Sequence, residues 1–109
     1  MPRIVRLLTR WTPAEIAELF KKTQTVYRQS GFSCRRAPKS GEFGRLLIII
    51  PRSAGNAPKR NLIRRRIKSI FYENKLYELK FDLVLYVSKI APELTFYNLL
   101  YIIKNQCES

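Results

Sequence analysis

The chain has no histidine and only two cysteines, Cys34 and Cys107, far apart and neither in a Cys-x-x-Cys pair. Imidazole acid–base chemistry and a Ser-His-Asp triad are therefore excluded. So is a structural zinc site, which needs about four S or N ligands. Two thiols in a small domain can bridge, but they read more readily as reduced residues of a cytosolic protein. Long apolar runs are missing too. The longest, Leu46 to Ile50 and Leu99 to Ile103, fall far short of the roughly 20 residues that cross a bilayer. Arg3, Arg6 and Arg10 lie among apolar residues near the start, but no small-residue cleavage site follows an apolar block, so neither a signal peptide nor an anchor is expected. The expectation is a cytoplasmic protein with no membrane partner.

Acidic residues are the last scarcity. Eight stand against 21 Lys and Arg, giving a formal net charge of +13 over 109 residues. Such an imbalance points to a polyanionic partner. With 46% hydrophobic residues the chain can build a real core, and its length suits one domain over 1–109. Residues 1–11 form a basic lead-in that reads equally as an RNA-gripping arm or as an aid to solubility.

Periodicity predicts the elements. Thr12-Pro13-Ala14-Glu15 carries a capping box with proline at the first helical position. Trp11 and Ile16 are spaced as a hydrophobic staple, and Ile16, Leu19 and Phe20 share a face. Val26 to Arg28 and Phe32 to Arg36 read as short strands separated by Ser30-Gly31. Leu46 to Ile50 reads as a central strand buried on both faces. Ile63, Ile67, Ile70 and Phe71 then predict a long helix from about Asn56 or Ala57 to Asn74. In residues 80–88, Phe81, Leu83, Leu85 and Val87 alternate with Asp82, Val84, Tyr86 and Ser88, a strand with one half-polar face. Pro92 and Glu93 read as the opening of a last helix containing Leu94, Phe96, Leu99, Leu100 and Ile103. The class is α+β, a mixed α/β sandwich in which helices cover a small four-stranded sheet. Asp82 and Glu93 are not placed as a catalytic pair, and Tyr97 and Tyr101 read as surface or core residues.

Between Lys59 and Lys68 there are six basic residues and no acid. Without acids at i±4 these charges repel within one helix. A phosphate backbone would relieve the repulsion, with release of counterions. Asn61 in the same stretch offers an amide donor and acceptor.

The segment Gly55-Asn56-Ala57-Pro58-Lys59-Arg60-Asn61-Leu62-Ile63-Arg64-Arg65-Arg66-Ile67-Lys68 resembles the signature of the bacterial ribonuclease P protein family. That signature runs Gly-x-Ala, two residues, Arg-Asn-Arg, an apolar residue, Lys-Arg, two residues, Arg. Gly55, Ala57, Arg60, Asn61, Ile63 and Arg65 match by identity, Arg64 and Lys68 by charge. Leu62 stands where the signature has its second arginine, Ser69 where an acid often follows, Ser53 where a lysine is expected beside Arg52, and Ile16 where the family has an aromatic. The order of elements resembles the family over essentially the whole chain, including Leu94-Thr95-Phe96 at the last helix.

The resemblance implies a protein cofactor of an RNA enzyme. In that family the RNA subunit performs Mg²⁺-dependent hydrolysis of the phosphodiester joining the 5′ leader to mature tRNA. The partners implied are the catalytic RNA and precursor tRNA, not DNA, with Mg²⁺ held mainly by RNA. By position, Arg52, Lys59, Arg60, Asn61, Arg64, Arg65 and Lys68 would face RNA, and Ile16, Phe20 and Phe32 would line a leader cleft between the first helix and the sheet. A left-handed crossover from the central to the last strand is also implied. Charge and size alone fit an alternative, a general RNA-binding module such as a ribosomal protein or RNA chaperone. A protein nuclease would need clustered carboxylates or a histidine base, and neither is visible.

Overall fold

The computed structural model describes residues 10–29, 31–39, 41–90 and 95–107. The first helix, α1 (Pro13–Lys22), starts at the expected capping box: Glu15 N donates to the Thr12 hydroxyl at 3.2 Å, and Thr12 N donates to the Glu15 carboxylate at 3.0 Å. Strands β1 (Gln24–Gln29) and β2 (Phe32–Pro38) form an antiparallel hairpin. Gly31 sits at its turn with φ of 81°, a conformation that favours glycine. Next come β3 (Leu46–Ile49), the long helix α2 (Ala57–Glu73) capped by Asn56, and β4 (Phe81–Val87). The last helix, α3 (Phe96–Ile102), is capped by Thr95 and continues into one wide turn over Ile103–Cys107. Among the described residues there are thus three α-helices and one mixed sheet, an α+β fold as the periodicity predicts. The Pro92-Glu93 helix opening and Leu94, like Arg3 and Arg6 of the lead-in, lie outside the described residues.

The strand order is β1-β2-β4-β3, with β3 parallel to β4 and the other pairs antiparallel. This corrects the reading of Leu46 to Ile50 as a central strand: β3 is an edge strand and ends at Ile49. The chain leaves β3, runs through α2, and returns as β4 between β3 and β2. The run is apolar for a different reason, since both faces of the edge are packed. Ile48 meets the main core, whereas Leu47 and Ile49 meet a smaller cluster on the other side.

The two faces of the sheet are covered unequally. On one, Phe32, Cys34, Leu83, Leu85 and Val87 pack against Ile63, Ile67, Ile70 and Phe71 of α2 and against Leu99, Ile102 and Ile103. All of these are buried, and each large apolar side chain contributes about 1.5–3 kcal/mol on leaving water. On the opposite face the buried apolar cluster among the described residues is just Leu19, Ala37 and Val84, with Trp11, Leu47 and Ile49 around it. There α1 supplies the cover. Ser33, Arg35 and Tyr86 on the same face stay half-buried or exposed.

Gly44 marks a backbone close approach between β3 and β4. Its N–H donates to Tyr77 O at 2.8 Å, and any Cβ on it would collide with the carbonyl oxygen of Phe81. Gly41, three residues earlier, has open space around the corresponding position. Gly44→Ala is therefore expected to destabilise by about 1–3 kcal/mol, while Gly41→Ala stays within about 0.5 kcal/mol. Urea denaturation of the two variants against the parent chain measures the difference.

Candidate nucleic-acid interface

The basic helix begins where the parallel strands end. After β3 a short 3₁₀ turn, Arg52–Ala54, leads to the extended Gly55 and the Asn56 cap. Ile90 N, beyond the end of β4, donates to Ala54 O at 3.0 Å, and Gly55 lies so close to Ile90 that a Cβ would meet its side chain at 3.1 Å. Both strand ends therefore fix the position of the helix start. Asn56 Oδ1 accepts from Lys59 N at 3.0 Å, and no acid occupies the first turn of α2. A helix N-terminus carries positive partial charge and free backbone donors, which favours an anion there.

The apolar stripe of α2 turns toward the core, so its basic residues divide between the crest and the flanks. Arg65, Asn61 and Leu62 are exposed, with Leu62 at 38% relative accessibility. Arg60, Arg64 and Lys68 are half-buried on the flanks; Lys59 and Arg52 are exposed. Two side chains are oriented by the helix itself. Arg60 Nε donates to Gly55 O at 3.1 Å, and Arg64 donates to Asn61 Oδ1 at 3.0 Å. The structure thus brings Arg52, Lys59, Arg60, Asn61, Arg64, Arg65 and Lys68 onto one continuous segment, with the first acid of the helix only at Glu73. Such a surface can bind phosphates through guanidinium and ammonium groups.

A second surface is created by how α1 sits on the sheet. The Arg45 guanidinium lies over the Trp11 ring, 3.9 Å from its centroid, and donates to Glu15 at 2.6 Å and to the Arg10 carbonyl. Trp11 Nε1 donates to Leu46 O at 2.8 Å, and Arg45 N donates at 2.8 Å to Asp82, the one buried acid among the described residues. These contacts, with Leu19 below, hold α1 across one end of the open sheet face. Ile16 is half-buried; Phe20 is 37% exposed, and the Arg35 guanidinium lies 5.8 Å from its ring centroid.

Phe32 requires a correction. It is only 2% exposed and packs in the main core beside Tyr27, on the face of the sheet opposite α1. It cannot line a cleft beside α1; the strand alternation that puts Phe32 inward turns Ser33 and Arg35 outward. The residues that do face the open side, Arg35 and Tyr86, were not singled out from sequence. A signal for Tyr86 was available in the alternation of residues 81–88, where an aromatic falls on the half-polar face. Arg35 gave none, being one arginine among many. Cys34 is buried, and its thiol donates to the Arg35 carbonyl at 3.9 Å. Among the described residues no group of three or more His, Cys, Asp or Glu side chains could hold a metal ion, and no helix is long and apolar enough to cross a membrane.

Comparison with known proteins places this geometry. The family model described as Ribonuclease P matches residues 1–108. The structure of the Staphylococcus aureus RNase P protein is similar to this chain with a TM-score of 0.75 at 22% identity, covering 92% of each chain. The RNase P protein from Thermotoga maritima gives a TM-score of 0.73 at 24% identity, covering 89% of this chain and 92% of that one. The same Thermotoga protein in complex with 1-(4-fluorophenyl)-2-thiourea gives 0.70 at 22% identity. No match was found among curated proteins.

The clamp on α1 carries a pH signature. The hydrogen bond from Arg45, then that from the Thr12 backbone, lowers the Glu15 pKa from its ordinary 4.5 to about 2. A carboxylate whose pKa is depressed on folding stabilises the folded state above its ordinary value, and the contribution is lost as pH falls toward the folded one. Glu15→Gln should flatten the pH dependence of stability between 4.5 and 2 and leave its shape above that window unchanged. Urea midpoints across an acid titration provide the check.

Proposed function

The chain belongs to the ribonuclease P family, and we propose that it acts as the protein subunit that grips the catalytic RNA with the first half of α2 and holds the 5′ leader of precursor tRNA beside α1. The observation that carries this reading is the α2 surface itself: six cations between Lys59 and Lys68 with no acid, set on a capped helix start with no competing negative charge. Arg65 and Lys59 on the exposed surface, with Arg60, Arg64 and Lys68 on the flanks, neutralise phosphates. Asn61, oriented by Arg64, meets sugar or base. Arg52 extends the basic surface toward the end of β3.

Among the described residues the protein's own donors do not suit a protein-held Mg²⁺. The buried carboxylate, Asp82, already accepts from Arg45 N, and the basic helix would repel a bare cation. Mg²⁺ therefore belongs to the RNA and its substrate, where the ion supplies charge stabilisation at the scissile phosphate. The protein contributes by lowering the electrostatic cost of bringing two polyanions together. It also restrains the leader in an extended path, so that less freedom is lost at the cleavage step. A general RNA-binding module can also combine a basic helix with an aromatic face, so the family match over residues 1–108 is what favours the subunit reading.

Reconstitution tests the proposal. Mixed with a bacterial ribonuclease P RNA at low Mg²⁺, the protein should raise the rate of leader removal from precursor tRNA while cleaving nothing alone. Absence of any stimulation, or equal affinity for leader-bearing and mature tRNA, would sink it. Arg65→Ala should reduce the slope of log affinity against log salt by about one, and Leu62→Arg should increase it by a similar amount. A titration of RNA binding over a range of salt concentrations measures both.

A further inference from the structure

The most exposed large apolar side chains among the described residues lie on α3. Tyr97 is 79% exposed and Tyr101 63%, well above Tyr86, the next of them, at 39%. Their placement follows from the helical period. Leu99, Ile102 and Ile103 are buried in the main core, so Tyr97 and Tyr101, four residues apart, fall together on the opposite side of the helix. Lys104, exposed as well, follows them. No acid occurs from Thr95 to Cys107.

Core packing does not account for the two rings. The outward side of a surface helix ordinarily carries charged or polar residues, and an exposed tyrosine leaves a large apolar face in water. Tyr97 is also held in place. Its ring meets that of Phe96 edge-on, with centroids 5.9 Å apart and an interplanar angle of 90°, and Phe96 packs against the main core. Asn105 Nδ2 donates to Tyr101 O at 3.0 Å, which closes the turn beyond the second ring. A ring supported from one side and accessible on the other is a preorganised stacking surface.

Position and charge select the occupant. Helix α3 packs against α2, and both cover the face of the sheet opposite α1. The two rings therefore share a side of the molecule with the basic helix. Pairing with a second copy would bring together two chains of net charge +13, whereas a polyanion is drawn toward the cations of α2. Four residues of helix rise by about 6 Å, nearly twice the roughly 3.4 Å between neighbouring bases stacked in one strand of a duplex. Rings at that spacing suit bases splayed out of a loop or bulge, one base to each ring.

We infer that Tyr97 and Tyr101 form a stacking platform for unpaired nucleotides of the catalytic RNA that α2 grips. The inference rests on the functional reading above and adds to it a second, uncharged contact with the same RNA. Each ring acts through its face, so the hydroxyls contribute little. Stacking neutralises no phosphate, and the platform therefore adds affinity without adding to the salt dependence.

Titration of a bacterial ribonuclease P RNA over a range of salt, with chemical probing of its unpaired nucleotides, tests this. Tyr97→Ala and Tyr101→Ala should each weaken binding about ten-fold, while Tyr97→Phe and Tyr101→Phe stay within about two-fold. The slope of log affinity against log salt should remain that of the parent in all four. Probing should find one or two unpaired nucleotides shielded by the parent and by the Phe variants, and open to reagent with the double Ala variant. Alanine favours a helix and the rings are exposed, so the variants should fold, with circular dichroism matching the parent. If the parent binds the RNA and the double Ala variant binds it equally tightly, the platform alone is overturned. A double variant that keeps full RNA affinity but loses self-association in sedimentation overturns it in favour of contact between copies. A slope reduced by about one overturns stacking in favour of a phosphate contact. A parent that does not bind the RNA removes the functional reading, and this inference with it.

Discussion

Arg45 is the point on which the open side of this molecule depends. Its backbone N–H is bonded to the buried Asp82 carboxylate at the start of β4, while its guanidinium spans Trp11, Glu15 and the Arg10 carbonyl. One residue thus ties the entry of α1 to both parallel strands. The ion pair with Glu15 is partly exposed, with side-chain accessibilities of 17% and 44%, so the pair by itself adds little. What the arrangement contributes is position: a guanidinium lying on an indole and bonded to two acceptors has few alternative placements. With α1 held at one end, Arg28 and Tyr86 on the remainder of the sheet face stay exposed.

The opposite face resolves a conflict that α2 would otherwise fail. Six cations without acids make a poor isolated helix, since like charges one turn apart repel. Four large side chains, Ile63, Ile67, Ile70 and Phe71, are buried beneath them, and that burial outweighs the repulsion. The fold can therefore display dense positive charge and stay ordered, and the Asn56 cap keeps the helix start from fraying. Charge display and core packing are opposite faces of one helix.

Local signals were strong enough to read most of the elements directly. The capping box at Thr12 and Glu15, the stripe of α2 and the alternation of β4 each follow from short-range spacing, and each is found in the structure. Strand order is different in kind. The run Leu46 to Ile50 looks central because apolarity reports burial on both faces, not the number of hydrogen-bonded neighbours, and an edge strand packed on both sides gives the same pattern. Phe32 failed for a related reason: alternation tells which residues share a face but not which face meets α1. Tyr86 was placed on the polar side of its strand correctly, yet only the pairing of β4 with β2 and β3 shows that this side is the one left open. The basic segment, by contrast, needed no tertiary information, because one helix carries all of it.

The two surfaces would hold RNA by different forces, and this separates their roles. Contacts from α2 would be to phosphates, so their strength would derive from counterion release and fall steeply with salt. Stacking on exposed rings beside α1 would involve no net charge on the protein side and would depend only weakly on salt. As ionic strength rises, the grip on bulk RNA therefore weakens faster than the grip on an unpaired segment lying on the sheet. Discrimination in favour of a single-stranded leader would then persist nearly unchanged as total affinity falls, because the phosphate contribution is common to both RNAs. Under the proposed function the charged helix would treat folded product and extended substrate alike, and only the open sheet face would tell them apart.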